Sequence, residues 1–449
     1  MLSITKYKKI KTIDTSKSTI SLCYLNNEYL IYRLALRGNV SSVVTDYELI
    51  NDNESQHLSI DQNTGLAILK RLEDGMPFSD AFIFYKGDNN TVDALDIPSE
   101  LAHTYTSTGI KFWKHEEQMW NYRNGNPKSI ISTHISPEGS CNLNCSYCSV
   151  TNRDTHSRIP LDIIKDYVIA LKEYGLRAVI LTGGGEPTAY KHFNELVRWL
   201  FAQNLEIGLV TNGTRKIWKK IDDDVCKMFK WIRVSINIYP GWEENIQIPV
   251  ERIDNDGYTT IGCSMVYTVE HESINTVNNV ALFQRVSALA TRNKAQYVRI
   301  LPNCLLEQEN LIRQHRVLDN ILKYVNDSRF FHQYKTHNAP VSEVCHQSYF
   351  KPYLSEERHS VTGLPGTVYP CDSVVLNDSA QYYSKKYELC HASEISEYLN
   401  KNISPTFTPK HDCKGCVHTA TVDMLDDWTK GNVDNFGNSA IEVDHQNFI

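Results

Sequence analysis

CNLNCSYC, running from Cys141 to Cys148, sets three thiols within eight residues directly after a strand-like run, Ile130 to Ser136. Thiolates are soft donors that select zinc or iron–sulfur clusters, and a structural zinc site wants a fourth Cys or His close by. None follows within the loop, the nearest histidine being His156. Three thiols can instead hold a four-iron cluster with one iron left open to bind something else, which is what an iron–sulfur catalyst needs. The plainer alternatives are three unrelated loop thiols or a zinc knuckle.

Outward from this loop, strands and helices alternate. Strand-like runs fall at Ile130 to Ser136, Ala178 to Thr182, Glu206 to Thr211, Ile232 to Ile238, Thr260 to Tyr267 and Tyr297 to Leu301. Helix-period stretches fall between them at Leu161 to Tyr174, Phe193 to Ala202, Trp218 to Phe229 and Val277 to Arg292, and a further helix follows at Leu311 to Val325. This order predicts a parallel α/β sheet with crossover helices and its chemistry at the C-terminal strand ends. The cysteine loop stands at the first of these ends. At the second stands Thr182-Gly183-Gly184-Gly185-Glu186-Pro187. Consecutive glycines allow close approach to the backbone. A phosphate cradle lacks its Lys-Ser/Thr here, and Glu186 would repel the anion, so a cationic amino group suits the carbonyls and carboxylate better.

CNLNCSYC resembles the CxxxCxxC signature of the radical S-adenosylmethionine (radical SAM) enzymes, including the aromatic Tyr147 before the last cysteine. The resemblance implies a partial (β/α)6 barrel and a 4Fe-4S cluster on Cys141, Cys145 and Cys148, its open iron chelated by S-adenosylmethionine. It further implies reductive cleavage to a 5'-deoxyadenosyl radical that abstracts hydrogen from substrate, with an electron donor such as flavodoxin or ferredoxin. Gly184, Gly185 and Glu186 match the motif that holds the methionine ammonium. Asn212, in Thr211-Asn212-Gly213, and Ser235 and Asn237, in VSINIY, stand where related enzymes reach the cofactor. Each of these could equally be an ordinary turn or strand residue.

A second cysteine set lies in the loop-rich stretch 340–420: Cys345, Cys371 after Gly366, and the pair Cys413 and Cys416. Four thiols close a site, and His346, His391, His411 and His418 keep zinc open as its metal. The arrangement resembles the twitch and SPASM extensions of the same superfamily, which hold an auxiliary 4Fe-4S cluster. Cys390 is an extra thiol that could replace one ligand. A closed cluster would conduct or accept an electron, as in 2-deoxy-scyllo-inosamine dehydrogenase, so a net oxidation is expected. The alternative is a peptide-modifying maturase that forms thioether or carbon–carbon links or epimerises residues. Cys304 is expected to be a structural thiol rather than a hydrogen donor.

The expected organisation is an N-terminal α+β domain over 1–115, a candidate for substrate recognition, a linker over 116–129, the barrel over 130–335, an irregular iron–sulfur module over 340–420 and an acidic tail over 421–449. The N-terminal unit shows strands at Thr19 to Leu25, Tyr29 to Ala35 and Val40 to Leu49. A helix there is capped by Thr64 and stopped at Gly75-Met76-Pro77. The tail carries Asp423, Asp426, Asp427, Asp434, Glu442 and Asp444 against Lys430, which reads as a solvated surface. The 449 residues carry 41% hydrophobic and 22% charged residues and a net charge of −7, an ordinary globular balance with no electrostatic case for nucleic acid. No apolar run serves as a membrane span or signal-peptide core, so a soluble cytoplasmic protein with a small-molecule or peptide substrate is expected.

Overall fold

The computed structural model describes residues 8–14, 18–25, 28–35, 40–44, 46–51, 54–74, 85–86, 107–253, 257–268, 276–333, 335, 338–377, 383–433, 436 and 443–449. The chain forms two compact units, Met1–Lys114 with Lys430–Asp444, and His115–Thr429 with His445–Ile449.

In the first unit, β1 (Lys8–Asp14), β2 (Ser18–Leu25), β3 (Glu28–Ala35) and β4 (Val40–Val44) form an antiparallel sheet in sequence order. β5 (Asp46–Asn51) joins β6 (Glu54–Ser59) and β7 (Tyr85–Lys86) in a second sheet, so the run read as one strand over 40–49 is two strands in different sheets. Apolar residues alternate along β2 and recur at helical spacing along Gln62–Glu73, so Ile20 and Leu22 meet Ile68, Leu69 and Leu72 in one core. The helix is capped by Asp61 rather than Thr64: the Thr64 N–H donates to Asp61 Oδ1 at 2.7 Å, a stronger acceptor placed one turn earlier. The stop at Gly75-Met76-Pro77 lies outside the described residues.

The second unit is built on seven parallel strands in sequence order: β8 (Ser132–Ile135), β9 (Ala178–Leu181), β10 (Glu206–Thr211), β11 (Trp231–Ile236), β12 (Thr260–Tyr267), β13 (Tyr297–Pro302) and β14 (Phe330–His332). The register separates two faces. Ile135, Leu181, Leu209, Val234, Cys263 and Ile300 belong to the face that is wholly buried, the side of an ordinary α/β core. On the other face His134, Ile180, Gly208, Arg233, Ser235, Ser264 and Arg299 follow one another across the sheet. This polar, partly open face is unlike the continuous apolar runs of a parallel sheet buried on both sides.

Four expectations change. The stretch read as one helix over 218–229 is two short helices, Arg215–Trp218 and Asp223–Cys226. Asp222 to Asp224 favour a new helix start, and Arg198 clamps both Asp222 and Asp224. β14 adds a seventh parallel strand. The C-terminal stretch is not merely irregular: β15 (Tyr353–Arg358) pairs parallel with β8, and β16 (Pro365–Tyr369) and β17 (Cys390–His391) extend the same sheet. In its described residues the acidic tail is not a solvated surface either. Helix Thr419–Lys430 buries Val422, Met424, Leu425 and Trp428, and Asp423 and Asp426 are buried acceptors for the Val341 N–H and the Ser342 hydroxyl. Phe448 packs on Ala178, Ile180 and Trp231. Burying these apolar groups outweighs holding two hydrogen-bonded carboxylates inside.

Candidate functional site

The three thiols of Cys141, Cys145 and Cys148 are half-buried in the loop that leaves the C-terminal end of β8. Donors converge on the sulfurs: the Leu143 N–H approaches Cys141 Sγ at 3.4 Å, Asn212 Nδ2 the same sulfur at 3.8 Å, and Arg153 Nη1 approaches Cys148 Sγ at 3.6 Å. Burial, then the neighbouring Cys141 and Cys148, push the Cys145 thiol up to about 11, so three mutually close thiols resist ionising together without a cation among them. Donors aimed at sulfur suit thiolates that ligate a cluster, so this set fits one. Neighbouring strand ends hold the loop in place. Asn212 Nδ2 donates to Asn142 Oδ1 at 2.7 Å, and the Tyr147 hydroxyl donates to Asn237 Oδ1 at 2.5 Å. Asn212 and Asn237 therefore reach the thiol loop, whereas Ser235 stays on the polar face and lends only its carbonyl, to Asn237 Nδ2.

The glycine stretch after β9 meets the protein's own loop. A Cβ on Gly185 would lie 2.2 Å from the Ser140 carbonyl oxygen, and one on Gly184 2.0 Å from Glu356 Oε1. The Gly185 and Glu186 N–H groups donate to the carbonyls of Glu138 and Ser140, tying the second strand end to the residue before Cys141. Glu186, expected to meet an amino group, already has partners within the protein. It is buried, and accepts from the Thr188 and Thr211 hydroxyls at 2.7 Å each and from the Asn212 N–H at 2.8 Å. Its side chain spans the second and third strand ends and so positions Asn212.

Cys345, Cys371, Cys413 and Cys416 line one pocket, walled by prolines and valines and also touched by His418. Burial pushes all four thiols up. Among the described residues, in this set as in the triad, no three His, Cys, Asp or Glu side chains converge as ligands of a single metal ion. Of the histidines that kept zinc open, His346 is engaged by Tyr122 and Asp426, His391 by Ser393 and Pro365, and His411 is exposed. Cys390 is buried on β17 and does not line the pocket.

Residues 135–255 match the Radical SAM superfamily. The match covers about a quarter of the chain. That superfamily implies a 4Fe-4S cluster and S-adenosylmethionine. The chain is similar to an S-adenosylmethionine-dependent nucleotide dehydratase of Selenomonas ruminantium, 30% identical over 108 residues that make up 24% of this chain and 38% of the relative. It is also similar to a GTP 3',8-cyclase of Helicobacter pylori, 29% identical over 97 residues, 21% of this chain and 30% of the relative. The chain thus spans less than two-fifths of the length of these curated relatives. Among solved structures, Streptococcus suis SuiB bound to precursor peptide SuiA aligns with a TM-score of 0.41 at 14% identity, over 86% of this chain and 88% of that one.

Around the matched segment the structure brings in residues that sequence reasoning missed. Arg153, five positions past Cys148, donates to the carbonyls of Gly139 at 2.7 Å and Val150 at 3.0 Å, bracing both ends of the thiol loop. Glu356 on β15 is wholly buried beside Gly184, its Oε1 has no hydrogen-bond partner, and burial pushes its carboxyl up to about 7. Asp372, next to Cys371, faces His134 at 3.2 Å and His418 at 3.9 Å. Against the burial that would raise it, these histidines hold its carboxyl well below the usual range. Cys304 is half-buried, its thiol directed to the Pro302 carbonyl. Arg233 and Arg299 carried a signal in the sequence: each is a charge at alternate position in an otherwise apolar strand. In the described residues no helix is long and apolar enough to cross a membrane.

Proposed function

We propose that this protein binds a 4Fe-4S cluster on Cys141, Cys145 and Cys148 together with S-adenosylmethionine, and abstracts hydrogen from a small-molecule substrate in a net oxidation assisted by a second 4Fe-4S cluster. The observation that carries the reading is the three-thiol loop at the β8 end, hydrogen-bonded to the ends of β10 and β11 inside the matched segment. When bound, the first cluster supplies an electron to S-adenosylmethionine and thereby the radical that takes a hydrogen atom. The chain's own part is to hold and orient. Arg153, Asn212 and the Leu143 N–H steady the thiolates, and the Glu138 and Ser140 carbonyls fix Gly185 and Glu186 against the loop, so cofactor and substrate meet in one geometry. Cys345, Cys371, Cys413 and Cys416 would hold the auxiliary cluster, with no ligand position left over for substrate. The two curated relatives are named for nucleotide chemistry, which supports a small molecule over a peptide.

The test is iron and sulfide per chain after anaerobic reconstitution, with 5'-deoxyadenosine formed from S-adenosylmethionine under dithionite. About eight iron atoms are expected for two four-iron clusters. Cys141→Ala or Cys148→Ala should lose about four of them and all detectable cleavage. Intact cleavage in either variant would overturn the reading. About four iron with one zinc in the wild type would reassign the C-terminal site as structural and withdraw the oxidation.

A further inference from the structure

The polar face of the parallel sheet concentrates more positive charge than the carboxylate beside it, Asp372, can balance. Arg233 on β11 and Arg299 on β13 lie on the same face as His134, through the registers Arg233 with Gly262, Gly262 with Tyr297 and Ser264 with Arg299. The Nε of each is buried without a hydrogen-bond partner. Lys351, just ahead of β15, is only 7% exposed. Lys335 follows β14, where it feels the charges of both Arg299 and Lys351. Among the described residues no ion pair engages any of these four cations. The carboxylate facing them is Asp372, and it is shared with His134 and His418. Arg233 has its guanidinium 5.5 Å over the Trp231 ring, which offers a π face but no negative charge.

Removing cations from water without counter-charges is costly, and so is crowding them together. Burial, with Arg233 beside it, brings Arg299 down to about 9, and burial lowers Lys335 and Lys351 as well. A fold that carries such a cost at several neighbouring positions is preorganised for something that repays it. We propose that this face seats an anionic substrate, with Arg233, Arg299, Lys335 and Lys351 receiving its phosphate or carboxylate groups. This rests on the radical SAM reading for what happens to the substrate, but not for its binding. Two guanidiniums and two ammoniums offer more charge than one carboxylate needs, so the ligand carries at least two negative charges. Arginine's fork favours bidentate contact with either oxyanion.

The experiment uses the anaerobically reconstituted holoprotein at fixed ionic strength. Equilibrium dialysis with radiolabelled inorganic phosphate and, separately, succinate measures binding, while thermal melts without anion measure stability. Saturable binding of phosphate is expected for a phosphorylated substrate, and of succinate for a polycarboxylate. Arg299→Met and Lys351→Met should each weaken that binding at least tenfold while raising the ligand-free melting temperature, because each relieves buried repulsion. Cations that serve the fold or balance the charge of a nearby cluster would give the opposite pattern: no saturable anion binding, and variants that melt earlier. Either of those results overturns the inference. Should Arg299→Met not fold, Arg299→Lys and Lys335→Gln supply the same binding comparison. Wild-type protein that binds an anion but forms no 5'-deoxyadenosine refutes the radical reading and leaves this site standing. Cleavage of S-adenosylmethionine without anion binding does the reverse.

Discussion

The two cysteine sets meet similar chemical demands by opposite routes. Cys141, Cys145 and Cys148 lie within one loop, half-exposed at strand ends, and side chains from β10, β11 and Arg153 only steady them. Cys345, Cys371, Cys413 and Cys416 come from separate segments and meet only because β15 and β16 extend the sheet beyond β8. A contiguous set carries much of its geometry in the local chain. A dispersed one does not exist until the tertiary structure has formed, so any metal bound there stabilises the fold itself. Between the two stands Glu356, on the strand that joins the C-terminal hairpin to the parallel sheet and against Gly184 of the triad side.

The largest expected effect tests this contrast directly. Cys371→Ala should lose about four of about eight iron atoms and lower the melting temperature of reconstituted protein by roughly 5 °C or more. Cys145→Ala should lose as much iron with a smaller fall. Equal falls in iron analysis paired with calorimetry would erase the distinction between local and dispersed sites.

An intermediate effect concerns Glu356. Burial raises its carboxyl to about 7, above the unfolded value, so the folded chain holds this proton more tightly. Its contribution is neutral at low pH and becomes a loss of stability as pH rises from roughly 4.5 to 7, reaching about 3 kcal/mol above that. Glu356→Gln removes this penalty. Relative to wild type it should therefore gain stability between pH 5 and pH 8, as read from denaturant midpoints at the two values. A pH-independent difference would show that the carboxyl does not titrate there.

The smallest effect is confined to the triad. Lysine cannot span the Gly139 and Val150 carbonyls and the Cys148 sulfur as Arg153 does. Arg153→Lys should release about half of the iron to a chelator several-fold faster than wild type, while the remaining iron leaves at the wild-type rate. Faster release of all the iron would mean that the two sites are mechanically one.

Much of the site was legible because its signals are short-range. The six expected parallel strands lie within two residues of their observed bounds, since short apolar strands between helix-period stretches announce themselves locally. Other features resisted for reasons of packing. Glu186 reads as a carboxylate for an amino group, and its partners Thr188, Thr211 and Asn212 come into view only in the fold. Asp423 and Asp426 read as solvated charges until Val341 and Ser342 present their donors, and Phe448 reads as part of a tail until Trp231 covers it.

By itself the sequence determined the order of strands and helices, the three-thiol loop at the first strand end and the glycine stretch at the second, because these depend on residues near one another in the chain. Only the tertiary structure decided which four C-terminal cysteines share a pocket and why Cys390 stands apart. It alone also brought Arg233 and Arg299 onto one face of the sheet. Those choices depend on strand register and on which side of a sheet each residue occupies, and they are made by burial across segments far apart in the chain.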